Sequence, residues 1–222
     1  MSDPLTAGAV LDPVTRAITD AGLVAILRSA STRHYAAAVE VLVASDVRVV
    51  EVTLTAEDAV ASIRALVRAY AGTDVVVGAG TVVSSDQAEA CIDAGAAFLV
   101  SPAVTPDVMA TARIAGVAVY PGALTPTEIL SAHRSGASAV KLFPASAVSP
   151  SYLKDVRGPF PDIPVIPTGG IGVDEIPSWL AAGAAAVGLG SPLLGSSLAE
   201  GPDAAFTRRA RRAVAAVAEA RS

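Results

Sequence analysis

The 222-residue chain has one cysteine, two histidines, one tryptophan and only two lysines, Lys141 and Lys154. Cys91 has no partner for an intrachain disulfide; close to Ala88 and Ala90 it reads as a thiol buried on a helix, not as a nucleophile. His34 and His133 fall in separate helical segments, with no HxH pair and no cysteine cluster, so no metal site is expected. Gly, Asp or Arg interrupts every apolar run before it reaches about 18 residues, the length a membrane helix needs. Residues 1–7 lack a basic n-region, so no signal peptide is expected and the default location is cytoplasmic. Acidic residues outnumber basic ones, 21 to 16, and a net charge of −5 argues against nucleic acid as a partner. The one basic run, Arg208, Arg209, Arg211 and Arg212, lies in an alanine-rich stretch and reads as a solvated helix face.

Hydrophobic residues are abundant, at 52% against 17% charged, and this supports a large buried core and excludes disorder for most of the chain. Eight short, β-branched, nearly all-apolar runs recur at 23–28, 47–54, 75–81, 98–102, 117–122, 139–144, 164–170 and 186–191. Runs of this kind are parallel strands covered on both faces. Between them lie Ala/Leu/Arg segments with helical spacing. Thr125-Pro126-Thr127-Glu128 has the form of a capping box, and Thr105-Pro106 and Ser149-Pro150 repeat the cap-then-proline device. Several segments end at a glycine: Gly95, Gly116 and Gly183. No linker divides the chain. Eight βα units of roughly 19–28 residues predict a single α/β domain over 1–222, a (β/α)8 TIM barrel with an extra N-terminal helix over 12–21. A doubly wound open sheet is the rival, and the strand count favours the barrel.

In such a barrel, chemistry sits at the C-terminal ends of the strands. The sixth run carries Lys141, which alternation sends to the same face as Phe143. A lysine inside an apolar strand is costly to bury charged, and the neutral amine is a nucleophile. The second run carries Glu51, a carboxylate in equally apolar company and so a candidate general acid/base. Strands two and six face each other across an eight-stranded barrel. The alternatives are a snorkelling lysine or a purely structural Glu–Lys pair. Runs seven and eight end in Thr168-Gly169-Gly170 and Gly188-Leu189-Gly190-Ser191, where amides can approach an anion; ligand-free tight turns are the alternative. Small residues in the third run, Gly78-Ala79-Gly80, leave room for substrate, and the Thr81 hydroxyl can bind a carboxylate. Pro102 and Pro121 shape the pocket walls.

In order along the chain, Glu51-Val-Thr-Leu, Gly78-Ala-Gly-Thr-Val, Ser101-Pro, Pro121-Gly, Thr125-Pro-Thr-Glu, Lys141-Leu-Phe-Pro, Gly158-Pro-Phe, Pro167-Thr-Gly-Gly and Gly188-Leu-Gly-Ser form a set that resembles the 2-keto-3-deoxy-6-phosphogluconate (KDPG) and 4-hydroxy-2-oxoglutarate (KHG) aldolases over about residues 20–200. The resemblance implies a homotrimeric class I aldolase without cofactor or metal, acting on a phosphorylated 2-keto-3-deoxy sugar acid and releasing pyruvate. It further implies Lys141 as the Schiff-base residue and Glu51 as acid/base. Thr81, Pro102 and Phe143 would then line the pyruvate end, and Thr168, Gly169, Gly170, Gly190 and Ser191 would hold phosphate. Many members carry an arginine four residues after the glutamate. Here that position is Thr55, which also reads as a helix N-cap, and Arg28 at the end of the first run is the candidate to take over the substrate carboxylate. Other readings are the galactonate epimer of KDPG, KHG itself, a phosphate-binding isomerase or thiamine-phosphate-synthase-like barrel, and a silent phosphate-binding barrel.

Overall fold

The structure is a computed structural model describing residues 11–222; the leader reading from residues 1–7 lies outside the described residues. The strands are β1 (Leu23–Leu27), β2 (Val49–Thr53), β3 (Val76–Gly80), β4 (Phe98–Val100), β5 (Ala118–Tyr120), β6 (Gly122–Ala123), β7 (Val140–Leu142), β8 (Val165–Pro167) and β9 (Val187–Leu189). All pairings are parallel, in the orders β5-β4-β3-β2-β1-β9 and β6-β7-β8. The expected fifth strand is broken into β5 and β6 at Pro121, which has no N–H to give to a ladder. Its carbonyl still accepts from the Lys141 amide at 3.0 Å, and Val119 O accepts from Ser138 N–H at 3.0 Å, so the two sheets join there. The other seam is closed by the Thr168–Gly188 bridge and by Ala185 N–H donating to Val165 O at 2.9 Å. The ring is the expected eight-stranded barrel, with one strand in two pieces.

Outward-facing strand residues such as Leu27, Val50, Val52, Leu99 and Leu142 pack beneath the surrounding helices. Inward residues form a second cluster, including Val24, Ile26, Val49, Phe98, Tyr120 and Ile166. The expected N-terminal helix is α1 (Pro13–Ala21), capped by Asp12, whose Oδ1 accepts from the Val14 and Thr15 amides. It closes the barrel bottom: Ile18 joins the inward cluster, and the Thr15 hydroxyl lies 3.0 Å from the Tyr120 hydroxyl. The Thr125–Glu128 capping box forms as read, whereas Thr105 makes no side-chain cap bond. Thr55 is not an N-cap either. Helix α3 (Ala59–Ala69) starts after Asp58, because residues 55–58 turn back, with Ala59 N–H reaching Ala56 O. The arginine run lies on the C-terminal helix (Ala204–Arg221) but is not uniformly solvated, since Arg209 and Arg212 are both bonded to other segments.

The interior is crowded, and glycine resolves the crowding. A Cβ on Gly78 would overlap the Phe98 ring, and one on Gly80 would overlap the Glu51 carboxylate. The space the sequence suggested for substrate is therefore filled by these two side chains. Gly78→Ala should overpack the barrel and cost about 1–3 kcal/mol. A lower urea midpoint at unchanged slope is the expected result, with partial recovery in Gly78→Ala/Phe98→Leu; an unshifted midpoint would show that the ring has room to move.

Candidate active site

Strand alternation carries Glu51 and Lys141 into the barrel from opposite sides of the ring. Lys141 Nζ lies 3.7 Å from Glu51 Oε1, and both residues are at most 5% exposed. At that distance the two attract by about 4 kcal/mol in an effective dielectric near 20. Desolvating each ion costs on the order of several kcal/mol, so the pair is not an economical way to hold a fold together. Glu51 Oε1 also has no hydrogen-bond partner. A buried carboxylate oxygen left free, beside an amine it does not bind directly, can accept a proton from a third group or through one water. The pair itself lines a small cavity, together with Val100, Tyr120, Ile166, Thr168 and Gly188 among others.

Phe143 lies two residues beyond the lysine on the same face, and Lys141 Nζ sits 5.2 Å from its ring centroid. Thr168 also points inward: it is buried, lines the same cavity and donates to Ile166 O at 3.3 Å. Its side chain therefore belongs beside the lysine, away from the exposed glycine turn that follows it. Burial raises the phenol of Tyr120 above its ordinary range; its hydroxyl faces Thr15 at the barrel bottom.

At the mouth, Arg28 is exposed and donates through Nη2 to Thr81 Oγ1 at 3.3 Å. Thr81 has φ 61°, a left-handed conformation costing a β-branched residue about 1–3 kcal/mol, and strain of this kind gathers at functional sites. Thr55 Oγ1 lies 2.8 Å from Thr53 Oγ1 and 3.3 Å from Ser29 O, so it buttresses the first loop. Pro102 is exposed beyond β4, its carbonyl pressed over Gly122.

Across the mouth, Gly169 (φ 93°) and Gly170 (φ 80°) form a consecutive left-handed pair that residues with side chains rarely adopt. Among the described residues, the Gly170 amide donates to no loop or turn acceptor, while the Gly169 amide borders the Thr168–Gly188 bridge. Gly169 lies against Phe143, which links this turn to the lysine. Ser146, which the sequence reading missed, packs against Gly170, and its amide donates to Gly169 O at 2.9 Å. Only its position just after the Lys141 strand could have flagged it. Gly190 sits beside Ile26 O, and Ser191 opens the short helix α9 (Ser191–Leu194) with its side chain exposed. His34 precedes helix α2 (Tyr35–Val43), and His133 lies in the last turn of helix α6 (Pro126–Arg134), as read. Among the described residues, no three His, Cys, Asp or Glu side chains gather as a metal would require, and no helix is long and apolar enough to cross a membrane.

A family model described as "Aldolase: KDPG and KHG aldolase" matches residues 14–209. The 2-dehydro-3-deoxy-6-phosphogalactonate aldolase of Escherichia coli (strain K12) is 37% identical over 172 residues, 77% of this chain and 83% of the relative. The 2-dehydro-3-deoxy-phosphogluconate aldolase of Pseudoalteromonas atlantica is 36% identical over 150 residues, 67% of this chain and 69% of the relative. A solved structure described as native KDPGal superposes with a TM-score of 0.78 at 34% identity, covering 90% of this chain and 93% of that one.

Cys91 is outside this constellation. It is buried on a helix, and desolvation pushes its thiol up to about 11. A thiol raised above its unfolded value stays protonated in the folded chain through pH 8. Ellman's reagent at that pH should therefore leave the native protein unlabelled and titrate one thiol per chain in denaturant. Rapid native labelling would return Cys91 to the candidate nucleophiles.

Proposed function

Because the chain belongs to the KDPG and KHG aldolase family, we propose that it cleaves KDPG to pyruvate and glyceraldehyde 3-phosphate through an imine on Lys141. The observation that carries the reading is the buried Lys141–Glu51 pair, 3.7 Å apart with one carboxylate oxygen free. The neutral amine adds to the C2 carbonyl, and loss of water leaves a protonated imine. Glu51, through a water, takes the C4 hydroxyl proton as the C3–C4 bond breaks, and the bond's electrons move into the imine to give an enamine. Protonation at C3 and hydrolysis then release pyruvate and the free lysine. Arg28 and Thr81 receive the carboxylate, and Pro102 and Phe143 wall the pyruvate end. The amides of Gly169, Gly170 and Gly190 and the Ser191 hydroxyl hold the phosphate, while the Thr168 side chain lines the cavity beside the lysine. No cofactor takes part, and the homotrimer implied by the resemblance goes with this reading.

The galactonate epimer is the second reading, favoured by the 37% identity to the Escherichia coli phosphogalactonate aldolase. It uses the same residues and differs only in the configuration at C4. The ratio of kcat/KM for the two epimers chooses between them.

Borohydride with pyruvate should add a reduced pyruvyl group at Lys141 and not at Lys154. Lys141→Arg should abolish both adduct and turnover; labelling at Lys154 alone, or full activity in the variant, would remove the mechanism. Glu51→Gln keeps the shape without the base, and should slow exchange of pyruvate methyl protons by ~10²-fold or more. Exchange at the wild-type rate would assign the base to another group. Phosphate binding is remote from the breaking bond and raises kcat as well as lowering KM. Ser191→Leu should accordingly harm the phosphorylated substrate far more than KHG, which carries no phosphate. Equal losses on both would mean that the glycine turns bind nothing, and KHG would become the leading substrate.

A further inference from the structure

The phosphate turn after β9 stands on very little structure of its own. Helix α9 has four residues, its last amide bond is Gly195 N–H to Ser191 O, and Gly195 (φ 58°) turns the chain away at once. A helix this short cannot satisfy its own carbonyl end. Here one side chain from elsewhere does so: Arg209 Nε donates to Leu193 O at 2.8 Å, and its Nη2 donates to Leu194 O at 3.1 Å. The guanidinium lies where a Cβ of residue 195 would be, so the glycine is also what lets the arginine in.

Arg209 is anchored on the 18-residue C-terminal helix, which is pinned to the barrel by buried Phe206, Ala210, Ala213 and Val217. It differs from the rest of its basic run. Arg208, Arg211 and Arg212 are exposed, and the Arg212–Asp174 contact, with both side chains mostly in solvent, is of the kind worth little. Only Arg209 is half-buried, with its planar fork divided between two carbonyls, a geometry one lysine ammonium cannot reproduce.

We propose that Arg209 is a positioning residue for phosphate recognition, fixing α9 by its carbonyl end so that Gly190 and Ser191 are held at the mouth of the barrel. The inference rests on the phosphate reading of those two residues. It gives a role to a charge that never touches substrate, and it concerns the phosphorylated end of the substrate only.

The test compares kcat/KM for KHG with that for whichever phosphorylated epimer is turned over, in Arg209→Met, Arg209→Lys, Arg208→Met and Ser191→Leu. Arg209→Met should lower kcat/KM for the phosphorylated substrate by about tenfold or more while leaving KHG within about twofold, and Arg209→Lys should fall between it and wild type. Arg208→Met should change neither. A second readout is the rise in melting temperature on adding inorganic phosphate, which Arg209→Met should shrink. Parallel losses on both substrates with phosphate protection intact would make Arg209 a stability residue only and overturn the proposal. Selective damage from Ser191→Leu without any from Arg209→Met would also overturn it while leaving the phosphate reading in place. If Ser191→Leu shows no selectivity, the phosphate reading fails and the proposal fails with it. Should Arg209→Met not fold, Arg209→Lys carries the same comparison, and an unselective lysine variant counts against the proposal.

Discussion

The space inside the ring of strands governs the rest of the molecule. Eight parallel strands enclose a volume that only one face of each strand can fill, and every inward side chain competes for it. A glutamate fits there because a neighbour across the pleat gave up its side chain. Gly80 sits in register with Thr53 and makes way for the Glu51 carboxylate; Gly78, opposite Glu51 itself, makes way for the Phe98 ring. Gly188 does the same for Thr168. Gly80 and Gly188 thus make room for polar groups and Gly78 for an aromatic ring, and the cost is a barrel with little slack. α1 seals the bottom of that space, so the polar pair communicates with solvent through the mouth.

Residues that violate their surroundings were legible from the chain alone. Lys141 and Glu51 stood out because a charge in an apolar strand must have a partner or a task, and the barrel topology supplied the geometry that brings them together. The eight-unit count predicted the barrel from recurring apolar runs, whereas the break at Pro121 follows from its missing N–H. What stayed hidden depended on long-range packing. Thr55 has the composition of a cap, yet the turn at residues 55–58 turns its hydroxyl toward Thr53 and Ser29. Nothing local marks Thr81 as left-handed, since β-branched residues avoid that region and only the surrounding loops hold it there. Arg209 looks like three neighbouring arginines until the fold sets α9 beneath it.

In the proposed function, the two halves of the mouth meet the two anionic ends of the substrate in different ways. On the side of β1 and β3 an exposed cation, Arg28, is tied to a strained threonine, an arrangement suited to a planar carboxylate. On the side of β8 and β9 no lysine or arginine enters the glycine turns, and in the proposed function it is backbone amides that would supply the positive potential. Amide dipoles fall off faster with distance than a full charge, so their effect depends on placement to within a few tenths of an ångström. A site of that type needs a rigid frame more than a site built on a flexible cation does.

That requirement explains why so much bonding lies behind the turns and so little in front of them. Gly169 O and Thr168 O are both held by amides of the segment that follows the lysine strand, Ser146 and Ala145, each at 2.9 Å. Gly172 N–H is held by the Glu175 carboxylate at 2.7 Å, and the carbonyls of α9 by Arg209. Each of these bonds uses the carbonyl or the far end of its turn. The lysine strand thereby sets the position of the first glycine turn directly, through the residues after Phe143. A shift of the lysine would move the first glycine turn with it, so that in the proposed function the spacing between imine and phosphate would be set by one short stretch of chain.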